Sequence, residues 1–164
     1  MPSQLVNNCS KMIGERGLTI AFAESATAGR LAAEFSLTPE SGRILKGGLI
    51  CYDASVKENT LGIPPDFIEE FTPESPEVTK AMAEKLKNLI ESDIQVSVTG
   101  LTTPGGSETE QKPVGTIFIH VLIQDNSIAV HDVFQGSAEE IVLKAVDLAA
   151  VTIFNELNTI KAAN

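Results

Sequence analysis

Aromatic side chains are scarce in this sequence, and tryptophan is missing altogether. Aromatic residues make up 5% of the 164 residues, with a single tyrosine, so aliphatic side chains must fill the hydrophobic core. Hydrophobic residues account for 43% and charged residues for 21%, a mixture typical of a globular domain and not of a disordered chain. This length suits one core, and neither a linker nor an internal repeat divides it. We therefore expect a single domain over residues 1–164.

Basic residues are also few. Twelve lysines and arginines stand against twenty-two acidic residues, which gives a formal net charge of −10. A nucleic-acid-binding protein normally needs a basic face that replaces phosphate counterions, so we expect no nucleic-acid partner. A small anionic ligand would need donors gathered locally against the overall negative field.

Long apolar runs and metal-binding clusters are absent from the sequence. No segment approaches the ~20 apolar residues that span a bilayer, and the N-terminus lacks a signal-peptide pattern. We therefore expect a cytoplasmic protein without a membrane partner. Cys9 and Cys51 lie in apolar surroundings, which favours two buried thiols over a disulfide. Histidine and cysteine nowhere have metal-ligand spacing, so no metal is expected.

Predicted strands and helices alternate early in the chain, and a hairpin of two strands follows a long loop over residues 100–114. Ser137 and Glu140 form a capping box that predicts the start of the last helix, and the chain is expected to fray after Ile160. This order predicts an α/β fold, a three-layer α/β/α domain with a mixed β-sheet. The predicted strands span residues 18–23, 47–52, 94–99, 115–123 and 127–134.

The first candidate functional segment covers residues 24–30 and reads ESATAGR. It lies between a predicted strand and a predicted helix, where the first helix amides have no internal partner and the helix dipole adds positive charge. Its small residues let a ligand approach, so the turn could hold an anion or stabilise an oxyanion. The alternative is that Ser25 or Thr27 acts only as a helix N-cap.

The second candidate segment covers residues 52–57 and reads YDASVK. Tyr52 falls where a strand ends, which is where ligands bind in α/β sheets, and Lys57 follows near the same edge. A lysine of lowered pKa can activate a serine nucleophile, and a tyrosine can relay the proton. The alternative is a half-buried tyrosine with a satisfied hydroxyl beside a solvated helix lysine.

The third candidate segment covers residues 99–107 and reads TGLTTPGGS, with KPVG at 112–115 closing the loop. It offers many backbone amides and hydroxyls, and loops of this length inside a compact domain are often functional. The glycine spacing matches neither a P-loop nor a dinucleotide-binding motif. The alternative is a flexible connection.

Taken together, these segments resemble those of the CinA C-terminal domain family, in the same order and over nearly the whole chain. Residues 23–29 (AESATAG) resemble the family turn AESCTGG, and residues 47–57 (GGLICYDASVK) resemble its GGxxxYSNxxK segment. Residues 99–116 resemble the family pattern TGIAGPGG…KPVGT. Further matches are LGIP at 61–64, SPEV at 75–78 and FQG at 134–136.

The resemblance implies a CinA C-terminal-like domain that hydrolyses the carboxamide of nicotinamide mononucleotide, giving nicotinate mononucleotide and ammonia without metal or cofactor. Carried over by position, Ser25 would be the nucleophile, Lys57 its base and Tyr52 an aid to proton transfer. We further expect amides of the helix after Ser25 to hold the oxyanion. The expected substrate-binding residues are Thr27, Ala28, Gly29, Arg30, Gly100, Thr102, Thr103, Gly105 and Gly106. The partner would be a small-molecule nucleotide substrate, and a homo-oligomer is expected because compact metabolic domains often form symmetric assemblies.

The sequence departs from the family pattern in the turn and beside the expected base. Ala26 replaces the family cysteine, Ala28 replaces a glycine, and the Ser-Asn pair after the tyrosine becomes Asp53-Ala54. A methyl group at Ala28 crowds the approach of the backbone to a ligand. The charge of Asp53 falls beside the expected base.

The largest departure follows the FQG segment. The family's Asp-Arg becomes Ser137-Ala138, and the arginines usual a few residues later fall on Val142 and Leu143. An arginine there would be a natural partner for a substrate phosphate. The remaining candidates for that role are Arg30, Arg43, Lys46 and Lys112. Two alternatives therefore stay open: a catalytically impaired relative that binds a nucleotide or a protein, and a hydrolase of a different, less anionic amide.

Overall fold

A five-stranded β-sheet forms the centre of the molecule in the computed structural model, which describes residues 1–160. The strands are β1 (Ile20–Glu24), β2 (Leu45–Ile50), β3 (Ile94–Gly100), β4 (Thr116–Ile123) and β5 (Asn126–Val133). The helices are α1 (Gln4–Glu15), α2 (Arg30–Ser36), α3 (Ser41–Ile44), α4 (Ala54–Asn59), α5 (Pro65–Phe71), α6 (Pro76–Leu89) and α7 (Ala138–Thr159).

The sheet has the strand order β2-β1-β3-β4-β5 and is mixed, as predicted. Strand β1 pairs in parallel with β2 and with β3, whereas the β3–β4 and β4–β5 pairs are antiparallel. Glu24 at the end of β1 is in register with Ile50 on one side and Val98 on the other. The carboxyl ends of three neighbouring strands therefore meet at one edge of the sheet.

Helices cover both faces of the sheet, which confirms the predicted three-layer α/β/α architecture. Successive side chains of a strand point to opposite faces. Ile20 and Phe22 accordingly enter the core beneath α1, α2, α3 and α7, while Ala21 and Ala23 enter a second core beneath α4, α5 and α6. Small alanines on the second face let α6 pack close to β1 and β3.

Side-chain caps start several helices, and Asp53 and Ser75 are residue types that predict helix N-caps at their positions in the sequence. The Asp53 carboxylate accepts a hydrogen bond from the Ser55 amide at 2.9 Å, and the Ser75 hydroxyl accepts from the Val78 amide at 3.2 Å. The predicted capping box at the start of α7 is confirmed, with both of its hydrogen bonds formed.

Two short helices differ from the sequence-based expectation. Residues 62–65 (GIPP) predict only a turn and residues 38–42 (TPESG) predict a helix break, whereas α5 begins at Pro65 and α3 spans Ser41–Ile44. Proline is well suited to the first helical position because its φ angle is already helical and its missing N–H has no partner to lose. Helix α3 has four residues and α5 has seven, which is too few for an apolar period to be visible in the sequence.

Cys9 and Cys51 are free and buried, as predicted. None of the helices between residues 1 and 160 combines the length and apolar character that a membrane crossing requires. The fraying expected after Ile160 lies outside the described residues.

Candidate active site

Ser25 lies at the edge of the sheet where the three parallel strands end. Its amide donates to the Val98 carbonyl at 2.9 Å, and the Cys51 amide donates to the Glu24 carbonyl at 2.7 Å. The chain leaves β1 toward α2 on one face of the sheet and leaves β2 toward α4 on the other. Such a divergence opens a crevice at the carboxyl ends of the strands, which is the usual ligand position in α/β folds.

Lys57 reaches directly into this crevice. Its Nζ lies 3.0 Å from Ser25 Oγ and 2.9 Å from the Cys51 carbonyl oxygen. The Asp53 cap begins α4 in an orientation that buries the lysine, which is only 1% exposed. The structure therefore brings two of the three predicted catalytic side chains into contact.

Burial lowers the pKa of the Lys57 ammonium, because the charged form loses its hydration. Coupling to Cys51, Glu74 and Asp53 in their ionised forms opposes that shift in the pKa of Lys57 without reversing it, and burial keeps Cys51 itself a neutral thiol by raising its pKa to about 11. A larger fraction of the amine is thus neutral near physiological pH than for an exposed lysine. A neutral amine 3.0 Å from a hydroxyl can accept its proton.

The Glu24 carboxylate occupies the start of α2. It is 2% exposed and accepts hydrogen bonds from the amides of Gly29 at 3.0 Å, Leu31 at 2.9 Å and Ala32 at 2.8 Å. It also accepts from the Thr27 hydroxyl at 2.6 Å. The prediction that the amides of this helix hold an oxyanion is therefore wrong for these three donors, because a side chain of the protein already satisfies them.

Two amides in the turn remain for that role. The amide of Ser25 is bound to Val98, whereas the amides of Ala26 and Thr27 donate no hydrogen bond within residues 1–160. Ala26 lines the cavity beside Ser25. Its amide is thus the candidate oxyanion donor.

Ala28 adopts a left-handed conformation in the same turn, with a φ angle of 48°, and Gly29 follows at 94°. The methyl group at Ala28, where the family pattern has glycine, therefore introduces backbone strain of about 1 kcal/mol.

A cavity of about 220 Å³ opens beside Ser25. The residues that line it are Ser25, Ala26, Tyr52, Glu74, Gly100, Leu101, Thr102, Thr103, Pro104, Gly105 and Gly106. Among the predicted substrate-binding residues, the five from the end of β3 and the loop after it belong to this set.

The four predicted substrate-binding residues from the turn after Ser25 lie outside the cavity, and we leave them out of the proposed site. The Thr27 hydroxyl and the Gly29 amide are bound to Glu24. Neither Ala28 nor Arg30 lines the cavity. Arg30 pairs instead with Glu34, with 2.7 Å between Arg30 Nε and Glu34 Oε1. Glu24, the last residue of β1, binds the polar groups of the turn and so directs them inward. In the sequence, its place in the family motif was its one signal of importance.

Tyr52 stands at the rim of the cavity and is 63% exposed. Within the described residues its hydroxyl donates to neither Ser25 nor Lys57. The predicted proton relay through Tyr52 therefore has no contact in this structure, and the ring instead offers an exposed apolar face beside the cavity mouth.

The loop after β3 is tied down at both its base and its tip. At the base, the Leu101 amide donates to the Thr116 carbonyl at 2.9 Å, and the Gly115 amide donates to the Leu101 carbonyl at 2.7 Å. At the tip, Lys112 Nζ donates to Ser107 Oγ at 2.8 Å. These hydrogen bonds favour a loop held at both points over the alternative of a flexible connection.

Among the lining residues in the described range 1–160, Glu74 is the one with an ionisable acidic or basic side chain other than the Tyr52 phenol, and sequence reasoning missed it. It precedes the Ser75 cap of α6, so its only sequence signal was a position beside a helix start. Its Oε2 accepts from the Ser107 hydroxyl of the loop.

No cationic side chain lines the cavity within the described residues. Arg30 pairs with Glu34 and Arg43 with Glu40, while Lys46 is exposed on β2 outside the cavity lining. Lys112 donates to Thr72, to the Glu74 carbonyl and to Ser107, which uses all three of its N–H groups. The predicted substitutes for the missing phosphate partner are therefore engaged or lie elsewhere. In the same part of the chain, no three His, Cys, Asp or Glu side chains come together as metal ligands.

The fold and site define an α/β/α domain in which a buried serine–lysine pair lies at the carboxyl ends of the parallel strands. Residues 2–157 match the model of the CinA C-terminal domain, and the chain belongs to that family. The resemblance stated from the motifs is thus confirmed.

Similar proteins carry only general names. The chain is 40% identical over 132 residues to a CinA-like protein of Petrotoga mobilis, covering 80% of this chain and 32% of that protein. It is 36% identical over 135 residues to a putative competence-damage inducible protein of Halothermothrix orenii, covering 82% and 32%. The chain thus spans about a third of the length of these relatives.

Solved structures share the fold. A CinA superfamily protein of Klebsiella pneumoniae superposes with a TM-score of 0.89 at 22% identity, covering 96% of this chain and 98% of that one. A competence/damage inducible protein of Agrobacterium tumefaciens gives 0.87 at 23% identity, with the same two coverages.

Proposed function

We propose that this domain is a serine amidohydrolase that converts nicotinamide mononucleotide and water into nicotinate mononucleotide and ammonia. The observation that carries the proposal is the 3.0 Å contact between the buried Lys57 amine and Ser25 Oγ. The substrate is the one that the family resemblance implies. The reaction type follows from the nucleophile and the base.

In the first half of the proposed reaction, neutral Lys57 takes the hydroxyl proton while Ser25 Oγ attacks the carboxamide carbon. The Ala26 amide donates to the oxygen of the tetrahedral intermediate. The C–N bond then breaks, the Lys57 ammonium returns its proton to the leaving nitrogen, and ammonia departs. An ester between Ser25 Oγ and the substrate carbonyl remains.

In the second half, water attacks this ester while Lys57 takes one of its protons. The bond to Ser25 Oγ breaks, and the oxygen regains its proton from Lys57. The carboxylic acid product ionises to the carboxylate. One water is consumed and one ammonia released per turnover, and the Cys51 carbonyl holds Nζ in place throughout.

The size of the cavity supports binding of the reactive ring. Sites for drug-sized ligands usually measure roughly 300–1,000 Å³, and this cavity is smaller, at about 220 Å³. A pyridine carboxamide fits that space, while the ribose and phosphate of a mononucleotide extend past the rim, over Tyr52. The phosphate then needs no cation within the cavity.

The test is ammonia release from nicotinamide mononucleotide by the purified protein. We expect release that disappears in Ser25→Ala and persists in Ser36→Ala, whose hydroxyl is exposed on α2 and bound to a local carbonyl. Equal activity in the two variants would contradict the proposal. Ligand-induced stabilisation without turnover would point to a nucleotide-binding module instead.

A hydrolase of a less anionic amide is the second candidate. The observation that favours it is the lack of any cationic side chain among the cavity-lining residues within the described part of the chain. A parallel assay with nicotinamide riboside, which lacks the phosphate, separates the two. A higher kcat/KM for the riboside would assign the second function.

A further inference from the structure

Glu74 contributes a negative charge to the lining of the cavity. Glu74 lines the same small cavity as Ser25, and its charge acts on Lys57 beside that serine, so a ring whose carboxamide reaches the serine also lies within the influence of this carboxylate. The remaining lining consists of backbone, hydroxyl and apolar groups together with the Tyr52 ring. A single charge in a restricted, partly desolvated space acts strongly on a ligand that carries a charge itself.

The carboxylate is held in place but keeps an acceptor for a ligand. Oε2 accepts from Ser107 Oγ, whereas Oε1 accepts no hydrogen bond from residues 1–160. Lys112 Nζ lies behind this pair and donates to Ser107 Oγ at 2.8 Å, without itself lining the cavity. Ser107 thus bridges the lysine and the carboxylate. The Lys112 ammonium offsets part of the Glu74 charge, and Glu74 is the charged residue of this pair that lines the cavity.

We propose that Glu74 is a specificity-determining residue, which selects carboxamides on a cationic ring, such as an N-alkylated pyridinium, over neutral carboxamides of the same shape. This inference rests on the proposed amidohydrolase function, and it names the charge of the substrate ring. The pyridinium nitrogen of an N-substituted nicotinamide carries a permanent positive charge, which a carboxylate across the ring stabilises.

The same arrangement disfavours the product. Hydrolysis turns the carboxamide beside Ser25 into a carboxylate, which the Glu74 charge repels, so the product is bound more weakly than the substrate. A cationic ring also offsets the influence of Glu74 on Lys57, whose pKa that carboxylate raises. Substrate binding therefore favours the neutral amine that the first step requires.

The experiment compares two probes that differ in one charge. 1-Methylnicotinamide is cationic and nicotinamide is neutral, and both present the same carboxamide on the same ring. Their dissociation constants are measured by titration calorimetry on Ser25→Ala protein, in which turnover cannot interfere, and on the same protein carrying Glu74→Gln. Glu77→Gln serves as the matched control, because Glu77 is an exposed glutamate in the first turn of α6.

We expect the cation to bind about tenfold more tightly than nicotinamide when Glu74 is present. This ratio should fall to within about twofold in Glu74→Gln and stay unchanged in Glu77→Gln. Equal affinities for the two probes, a ratio that survives Glu74→Gln, or no binding of either probe would each overturn the inference. Cation-selective binding that depends on Glu74, without ammonia release from any amide by the wild-type protein, would uphold the role of Glu74 and reject the amidohydrolase.

Discussion

Lys57 Nζ lies 3.0 Å from Ser25 Oγ, although 32 residues separate the two in the chain. The contact forms because the parallel strands β1 and β2 end at the same edge of the sheet, and because α4 turns back over that edge. Hydroxyl and amine are thereby removed from bulk water together. This relationship leads to the first prediction.

The activity should follow the neutral form of Lys57. Burial lowers the pKa of this lysine from its ordinary value of 10.5, so kcat/KM is expected to rise with pH and level off below that value. Lys57→Met should lower kcat/KM by about 10³-fold and abolish this rise of kcat/KM with pH, the rising limb of the pH–rate profile. Lys87→Met, at an exposed position on α6, should alter neither property, and the check is a pH–rate profile of the three proteins.

Glu74→Gln should shift this pH–rate limb toward lower pH. Burial sets the direction of the shift in the pKa of Lys57, and the Glu74 carboxylate opposes it by stabilising the ammonium form. Removing the carboxylate therefore extends the neutral form of Lys57 to more acidic solution. A limb that moves toward higher pH in this variant, or stays in place, would contradict the electrostatic coupling of the two side chains.

Glu24→Gln should destabilise the fold. The buried carboxylate accepts three backbone amides and one hydroxyl, and a glutamine side chain would turn one acceptor atom into a donor facing other donors. We expect the free energy of unfolding to fall by about 3 kcal/mol or more. Urea unfolding measures the change. Glu139→Gln, at an exposed position in the first turn of α7, is the control and should change stability by less than about 0.5 kcal/mol.

Two glycines that follow β3 allow a steric test at matched φ angles. Gly105 and Gly115 have φ angles of 100° and 99°. A Cβ at Gly105 meets nothing within 4 Å, whereas a Cβ at Gly115 would overlap the Phe134 carbonyl oxygen. Gly105→Ala should therefore cost only the backbone strain, about 1–2 kcal/mol, and Gly115→Ala should cost more than about 4 kcal/mol. Equal losses in thermal or urea unfolding would show that the contact with Phe134 relaxes freely.

His120 should make stability depend on pH. The ring is 4% exposed, Nε2 is bonded to Ser127 Oγ at 2.7 Å, and Nδ1 has no partner within residues 1–160. Burial lowers the pKa of His120, with Lys80 adding to the shift and Glu84 opposing it. The unfolded state therefore binds the proton more readily, and the contribution of His120 is fully present above about pH 6.5 and is lost as the pH falls through the folded pKa.

Urea unfolding at about pH 7.5 and about pH 5.5 checks this sign. His120→Gln should reduce the difference in unfolding free energy between the two conditions, by at most about 1.4 kcal/mol per pH unit for one proton. His131→Gln, which removes an exposed ring from β5, is the matched control. A difference that is as large in His120→Gln as in the wild-type protein would assign the pH dependence to other groups.

Much of the fold could be predicted from local patterns. Helices α1, α6 and α7 are specified by signals that lie within or next to them in the sequence. These signals are their apolar periods, the cap at Ser75, and the capping box of Ser137 and Glu140. The short helices α3 and α5 were missed because four to seven residues hold too little of a period. The family motifs marked the Ser25 turn and Lys57, which the structure brings together.

The sequence by itself determined the five strands and the longer helices, that the thiols are buried and that the net charge is acidic, because composition and short-range periodicity encode those properties. Only the tertiary structure decided that Glu24 fills the donors of α2, that Tyr52 stands at the rim and that Glu74 supplies the charge of the cavity. These relationships join residues from different elements. The strand order and the packing of helices on the sheet set their distances, and neither is encoded by the spacing of residues along the chain.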